Sequence, residues 1–139
     1  MKVFLDTNVI LDTRIPGRSS AVESRKLIGL GYADGVKLYT SSLAVADIAY
    51  VGRKQCGKTA ILEIIKGILD NWKILALGDF DIYLAAKSAC PDFEDAMQIS
   101  IAETECDIII TNNVQHFEGF TCLPVMTPSD FIDRITAEI

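Results

Sequence analysis

Hydrophobic and polar positions along this 139-residue chain follow two patterns that alternate. Short apolar runs, typical of buried strands, are each followed by a longer segment whose apolar residues recur at helical spacing. The runs that predict strands are 3–5, 36–40, 74–77, 108–111 and a short one closing at Val125. The segments that predict helices are 20–30, 42–50, 59–69, 80–89, 92–105 and one that begins at Thr127.

The alternation of strands and helices predicts the fold class. Strands that are apolar on both faces are typical of a parallel sheet covered on its two sides by helices. No repeat, low-complexity tract or linker interrupts the pattern. We therefore expect one α/β domain over residues 1–139, with a central, mainly parallel sheet.

Turn and cap signals divide the helical segments from one another. Residues 12–20, which include Pro16, predict a loop that caps the first helix. Thr127 followed by Pro128 and Asp130 combines a capping residue, a proline at the first helical position and an early carboxylate. The basic stretch 52–57 predicts a break between two helices.

Charge adds a second level of organisation. The chain has 19 acidic and 13 basic residues, a formal net charge of −6, and half of it is apolar, which excludes a disordered chain and disfavours a simple basic nucleic-acid binder. However, residues 1–60 hold nine basic and five acidic residues, whereas residues 61–139 hold four and fourteen. The first part can therefore face a polyanion while the second supplies carboxylates.

The compartment is predicted from the absence of long apolar segments. The N-terminal apolar run is too short for a signal peptide, and no later segment reaches the roughly 18 uninterrupted apolar residues of a membrane span. We expect a cytoplasmic protein that does not enter a membrane.

The cysteines do not predict a metal site. Cys56, Cys90, Cys106 and Cys122 are widely separated, and His116 is the one histidine. Zinc sites need ligand pairs a few residues apart, so zinc is disfavoured. We expect four reduced thiols in the core.

One segment matches the sequence pattern of a phosphate-binding loop. Residues 52–59 match Gly-x4-Gly-Lys-Thr, in which Lys58 would neutralise phosphates and Thr59 would hold magnesium. Such a loop must follow a strand, whereas the preceding segment has helical spacing. A turn between helices, with Gly57 ending one helix and Thr59 beginning the next, is the favoured interpretation, and a nucleotide-binding loop is the alternative.

A set of acidic and amide residues points to different chemistry. Asp6 follows the first strand, where open α/β sheets place their sites, and Asp47 interrupts an apolar helical stretch. Other members crowd the start of the 92–105 helix or follow the 108–111 strand; they are Asp92, Glu94, Asp95, Thr111, Asn112 and Asn113.

Hard divalent cations bind several oxygen ligands, and carboxylates brought together repel one another unless such a cation neutralises them. Magnesium or manganese held in this way can activate water and stabilise an in-line displacement at phosphorus. The set therefore predicts a Mg²⁺ or Mn²⁺ site.

Each acid also has a purely structural interpretation. Asp6 could cap a turn, and Asp47 could lie on an exposed helix face. Asp92 is a candidate N-cap, with Asp95 completing a capping box. Glu94 is read as a solvated carboxylate in the first helical turn. Their joint placement favours the metal site.

Four segments resemble the motifs of PIN domains, including VapC-type toxins, in the same order. They are Leu5–Asp12, Ser41–Tyr50, Asp92–Gln98 and Ile110–Phe117. The resemblance covers essentially the whole chain. It implies a Rossmann-like three-layer α/β/α sandwich and a Mg²⁺- or Mn²⁺-dependent ribonuclease.

The resemblance also implies roles for particular residues. Asp6, Asp47 and Asp95 match metal-binding carboxylates, and Asp92 matches a nearby accessory. Asn113 occupies the fourth acidic position, where an amide oxygen can still ligate but adds no charge. A metal should therefore bind more weakly, which leaves a catalytically degenerate PIN-fold binding module as the alternative.

The leading hypothesis is an endoribonuclease that is the toxin of a type II toxin–antitoxin pair. Asp6, Asp47, Asp95 and Asn113 would be catalytic, and Thr7, Asn8 and Thr111 would orient them. Basic residues would grip the RNA backbone; the candidates are Arg14, Arg18, Arg53, Lys54 and Lys58. The resemblance further implies a homodimer and a small antitoxin partner.

Overall fold

The structure, a computed structural model, describes residues 1–15, 17–33 and 35–137. These residues form five strands and eight helices that largely alternate along the chain. The strands are β1 (Lys2–Leu5), β2 (Lys37–Ser41), β3 (Lys73–Leu75), β4 (Ile108–Ile110) and β5 (Val125–Met126). The helices are α1 (Thr7–Asp12), α2 (Ala21–Leu30), α3 (Ser42–Gln55), α4 (Gly57–Asn71), α5 (Asp79–Lys87), α6 (Phe93–Glu103), α7 (Val114–Phe117) and α8 (Pro128–Ala137).

The five strands form one parallel sheet in the order β3-β2-β1-β4-β5, which confirms the predicted fold class. β1 lies at the centre, where Val3 pairs with Leu38 of β2 and with Ile108 of β4. The chain builds the sheet outward on one side of β1 through β3, then resumes on the other side with β4. Open parallel sheets bind ligands at the carboxyl ends of the strands where this reversal occurs.

Both faces of the sheet are buried, as the apolar strands predict. Val3 and Leu5 point into a core that includes residues of α1, α2, α3, α4 and α8. Phe4 points into a second core, which includes residues of α5, α6 and α7. Because successive strand residues face opposite sides, the continuous apolar runs of β1 and β4 serve both cores. The result is the expected three-layer sandwich.

Two short helices were not predicted from the pattern. α1 occupies residues that follow directly on β1, and α7 follows β4. Six and four residues are too few to display helical periodicity. Pro16, which the sequence places in the loop before α2, lies outside the described residues.

The predicted break over residues 52–57 is wrong in most of its length, because α3 continues to Gln55. Gly52 is buried, and a Cβ on it would lie 2.4 Å from Ile61 Cδ1, so this glycine allows α3 and α4 to pack closely. The break comes at Gly57, which has a φ of +78°. Because residues 52–55 are helical, their amides are not free to wrap a phosphate, and the residues directly before them belong to α3 rather than to a strand. Gly57 begins α4, so Thr59 lies within its first turn.

The four cysteines are free thiols. Cys90 and Cys106 are buried, as predicted for core residues, and Cys56 is partly buried. Cys122 is exposed, so the prediction of a core position is wrong there. Among the helices described, none has the length and apolar character that crossing a membrane requires.

Candidate active site

A cleft of about 410 Å³ opens at the carboxyl ends of β1 and β4, where the strand order reverses. It collects residues from the first, third and sixth helices and from the segment after β4. The lining residues are Asp6, Thr7, Asn8, Leu11, Asp12, Arg18, Asp47, Tyr50, Val51, Glu94, Asp95 and Asn113. Three of the predicted carboxylates and Asn113 therefore meet on one surface.

Asp6 is the most buried of these candidate metal ligands, with 8% of its surface exposed. The Thr111 hydroxyl donates to Asp6 Oδ2 at 2.8 Å, and the Thr7 backbone N–H donates to Oδ1 at 2.8 Å. Asp6 thus caps α1 and also faces the cleft. Burial raises the pKa of the Asp6 carboxyl, and the charge of Asp47 adds to the rise, while the two hydrogen bonds oppose it.

The ends of β1 and β4 are joined by polar contacts around Asp6. The Thr111 oxygen accepts a hydrogen bond from the Asn113 N–H at 3.1 Å, and Asn8 Oδ1 accepts one from the Asn112 N–H at 3.3 Å. Thr111 therefore orients Asp6 directly, whereas Asn8 holds the turn that carries Asn113. The Thr7 hydroxyl is buried and has no hydrogen-bond partner within the described part of the chain.

Asp47 of α3 and Glu94 of α6 both line the cleft, and Asp47 has the largest influence on the pKa of Glu94. The interaction with the Asp47 carboxyl, followed by burial and neighbouring negative charge, raises the pKa of Glu94 to about 8. Glu94 lies in the first turn of α6 and is exposed, as the sequence predicts, but that interpretation did not include its interaction with Asp47. The available signal was three acids within residues 92–95.

Asp95 is half-buried, and burial together with the charges of Asp92 and Asp6 raises its pKa to about 6. His116 Nδ1 lies 3.7 Å from Asp95 Oδ2 and acts in the opposite direction. Asp92 caps α6, as the sequence predicts: its Oδ1 accepts the Asp95 N–H at 2.9 Å. Asp92 is exposed and lies outside the lining of the cleft, so its role as a metal ligand stays a prediction.

The donor chemistry of the cleft fits a hard divalent cation. Asp6, Asp47, Glu94 and Asp95 offer carboxylate oxygens, and Asn113 offers an amide oxygen. Burial and, after it, neighbouring negative charge raise the pKa values of Asp6 and Asp95. The arrangement is open: in the ranges that the structure covers, no three His, Cys, Asp or Glu side chains are close enough to hold one ion. A cation held by Glu94 would compete with the proton that its raised pKa retains at neutral pH.

One further acid was not identified from the sequence. Asp12 is 3% exposed and accepts hydrogen bonds from the Ser20 hydroxyl and the Asn112 amide, while Arg18 Nε lies 3.8 Å from Asp12 Oδ1. No periodicity distinguishes Asp12 in the sequence. Its contacts tie α1, the loop before α2 and the turn after β4 into one wall of the cleft.

The five predicted RNA-binding residues are not gathered in one place. Arg18 lines the cleft, and the Arg53 guanidinium lies 5.2 Å above the ring of Tyr50, which also lines it. Arg14 is paired with Glu63 at 3.1 Å and lines another cavity. Lys54 and Lys58 are exposed and lie outside the cleft lining.

The chain matches the sequence profile of the PIN domain over residues 2–115. A search of curated protein sequences gave no match. Solved structures similar to this chain include VapBC complexes and a toxin.

The DNA-bound VapBC complex from Salmonella typhimurium is similar with a TM-score of 0.68 and 17% identity, covering 92% of this chain and 98% of the other. VapBC-1 from nontypeable Haemophilus influenzae gives 0.68 and 18%, covering 93% and 99%. Mycobacterium tuberculosis VapC20, a toxin that cleaves the sarcin–ricin loop, gives 0.66 and 13%, covering 77% and 86%. At these identities, the likeness establishes the fold.

Proposed function

The chain belongs to the PIN domain family, and we propose that it is a divalent-metal-dependent endoribonuclease, the toxin of a toxin–antitoxin pair. The observation that carries the proposal is the convergence of four carboxylates from three separate parts of the chain on one cleft at the carboxyl ends of parallel strands. The similarity to VapBC complexes and to a toxin that cleaves the sarcin–ricin loop supports the choice of RNA as substrate.

Asp6, Asp47, Glu94 and Asp95 would hold Mg²⁺ or Mn²⁺, with the Asn113 amide oxygen as a neutral ligand. When bound, the cation supplies an activated water and offsets the charge that develops on the phosphate. Thr111 fixes the orientation of Asp6 by donating to one of its oxygens. The pKa of Glu94 is raised to about 8, so Glu94 holds a proton at neutral pH, and this proton would compete with a cation for its carboxyl group.

The RNA backbone would enter along the wall that carries Arg18. Arg18 is the basic side chain in the lining of the cleft, and Tyr50 beside it offers an exposed ring on which Arg53 stacks. A guanidinium attracts a phosphate, and an exposed ring can stack on a base. This wall therefore combines both contacts within reach of the carboxylates.

A degenerate binding module is the second candidate function. It is favoured by Asn113, which lowers the negative charge of the site, and by the open arrangement of the acids. Calorimetric titration with Mn²⁺ separates the two functions. Absence of heat at millimolar Mn²⁺ favours the module, whereas saturable binding that Asp6→Asn weakens favours the nuclease.

Replacement of Asp6 by Asn tests the nuclease directly. We expect Asp6→Asn to abolish Mg²⁺- or Mn²⁺-dependent cleavage of RNA without unfolding the protein, because the amide keeps the shape of the carboxyl and removes a buried charge. Cleavage is followed on total and structured RNA by gel electrophoresis, and folding by circular dichroism.

Asp81→Asn is the matched control. Asp81 is as buried as Asp6, at 7%, but it accepts hydrogen bonds from Gly78 N–H and the Ser100 hydroxyl, outside the cleft. We expect this variant to retain cleavage. Undiminished cleavage by Asp6→Asn, or equal loss in both variants while folded, contradicts the assignment.

An antitoxin and a second copy of this chain are the proposed protein partners. The VapBC structures support the first, and the resemblance to VapC-type toxins supports the second. Co-expression with a small protein encoded next to this gene should yield a complex that co-purifies and suppresses cleavage. Light scattering on the chain alone measures its oligomeric state.

A further inference from the structure

A second cavity, of about 440 Å³, adjoins the cleft. Its lining residues are Pro91, Asp92, Asp95, Gln115, His116 and Phe120. Asp95 also lines the cleft, so the two cavities share this side chain as a wall. The volume lies in the range of roughly 300–1,000 Å³ that is usual for small-ligand sites. Nothing in the proposed metal chemistry uses this space.

The wall of the second cavity is held by the segment after β4. Phe117 of α7 is 1% exposed and anchors the segment in the core. The His116 N–H donates to the Asn113 carbonyl at 2.9 Å, and the Phe120 N–H donates to the Phe117 carbonyl at 3.0 Å. The His116 and Phe120 rings are therefore presented from a turn that is bonded internally, and they offer flat surfaces against which a planar ligand can pack.

The charge of the cavity selects its occupant. Among the described residues that line it, none is Lys or Arg, Asp92 and Asp95 are acidic, and His116 Nδ1 lies 3.7 Å from Asp95 Oδ2. A phosphate is repelled by this lining, whereas a planar group that brings N–H donors is attracted. Nucleobases with an exocyclic amino group supply such donors, and carboxylates pair with the amino group of cytosine. Uracil presents a carbonyl at the same position, which faces a carboxylate unfavourably.

We propose that this cavity binds a nucleobase next to the cleaved phosphodiester and prefers a base that carries an exocyclic amino group over uracil. The proposal rests on the proposed function, since the RNA has to pass through the adjoining cleft. Asp92 accepts from the amino group, Gln115 pairs with the remaining edge through its amide, and Phe120 packs against the ring. These three are specificity residues rather than catalytic ones.

Binding to the uncleaving variant tests the proposal without relying on activity. Fluorescence anisotropy in Mg²⁺ buffer compares Asp6→Asn bound to oligocytidylate and to oligouridylate of equal length, two ligands that differ at the amino group. We expect a preference for oligocytidylate of about fivefold or more. Gln115→Ala, added to Asp6→Asn, should weaken oligocytidylate binding about threefold to tenfold.

Asp92→Asn gives the sharpest readout, because Asn preserves the cap of α6 while its amide can donate to the uracil carbonyl. We expect it to reduce the ratio of the two affinities about threefold or more. Tyr32→Ala is the matched control: Tyr32 is an exposed aromatic residue that lines a different cavity, and its removal should leave the ratio unchanged.

Equal affinity for the two oligonucleotides, or a ratio unchanged by both Gln115→Ala and Asp92→Asn, overturns the proposal that the cavity binds a base. Metal-dependent cleavage by the unaltered protein would still support the proposed nuclease in that case. Conversely, a protein that cleaves no RNA but shows the expected ratio and its loss supports the cavity and removes the nuclease. Absence of binding to either oligonucleotide overturns the cavity as well.

Discussion

Carboxyl groups at the two edges of the sheet have pKa values that are shifted in opposite directions. At the amino edge, Glu105 lies 2.9 Å from Lys73 Nζ and 3.6 Å from Lys2 Nζ, and it accepts a hydrogen bond from the Tyr39 hydroxyl at 3.3 Å. These contacts, the hydrogen bond from Lys73 first, lower the pKa of Glu105. At the carboxyl edge, burial followed by the charges of neighbouring acids raises the pKa of Asp95 to about 6, and the interaction with Asp47 followed by burial raises that of Glu94 to about 8.

Glu105 at the amino edge is paired with positive charges of the protein itself, whereas the pKa values of Glu94 and Asp95 in the cleft are raised in part by neighbouring carboxyl groups, and these acids could bind a cation. The charge of Glu105 is already balanced by two lysines, so we expect this residue to affect the stability of the fold and not the activity. Carboxylates that repel one another lower the stability of the free protein, and a bound cation would offset that cost. Strained electrostatics of this kind is typical of functional sites.

The largest expected difference is in RNA cleavage, when a carboxyl group is replaced by an amide at each of the two edges. Asp95→Asn should lower RNA cleavage roughly 100-fold or more, because it removes a candidate ligand and a negative charge from the cleft. Glu105→Gln should leave cleavage unchanged and lower the melting temperature slightly, because it disrupts contacts with two exposed lysines. Initial rates and thermal melts of both variants check this. A comparable loss of activity in both would erase the functional difference between the edges.

The next effect is stabilisation by the cation. In the unaltered protein, Mn²⁺ at about one hundred times its dissociation constant should add about 2.7 kcal/mol to the free energy of unfolding, since it binds the folded state alone. Differential scanning fluorimetry with and without Mn²⁺ measures the shift. Asp6→Asn should lose most of it, whereas Glu105→Gln should retain all of it. A shift of equal size in Asp6→Asn would place the cation elsewhere.

The smallest effect is the pH dependence of stability, which has opposite signs at the two edges. The pKa values of Asp95 and Glu94 are raised from 3.8 and 4.5 to about 6 and about 8, so between roughly pH 4 and 8 the folded state binds more protons than the unfolded chain. The free energy of unfolding therefore falls as pH rises through this window. Glu105, with a lowered pKa, contributes stability that is lost only as pH falls below its ordinary range.

Thermal melts in chelator between pH 5 and 8 measure this dependence. We expect a melting temperature a few degrees lower at pH 8 than near pH 5. Glu94→Gln should flatten the curve above pH 6, because the group that loses its proton there is gone. An unaltered slope in Glu94→Gln would mean that the Asp47–Glu94 contact does not govern it.

Local chemistry explains why much of the fold and part of the site could be predicted. The strands are apolar on both faces, and the caps at Asp92 and Thr127 have standard residues, so the five strands, the longer helices and the parallel sheet could be predicted from spacing and cap signals. Asp6 and Thr111 follow strands, and the carboxyl ends of parallel strands share one edge, so their meeting at 2.8 Å was foreseeable. The prediction of a break beginning at Gly52 was wrong, because the sequence does not distinguish a glycine that permits close packing of two helices from one that ends a helix.

The sequence by itself determined which end of the sheet carries the acids, since the position of a residue after a strand sets the edge on which it lies. Only the tertiary structure decided that Glu94 reaches Asp47, that Arg18 rather than Lys58 faces the cleft, and that a second cavity opens beyond Asp95. Helices α3 and α6 are distant in the chain, and the gap between them depends on how side chains from both cores pack. Spacing along a chain carries no information about such a gap.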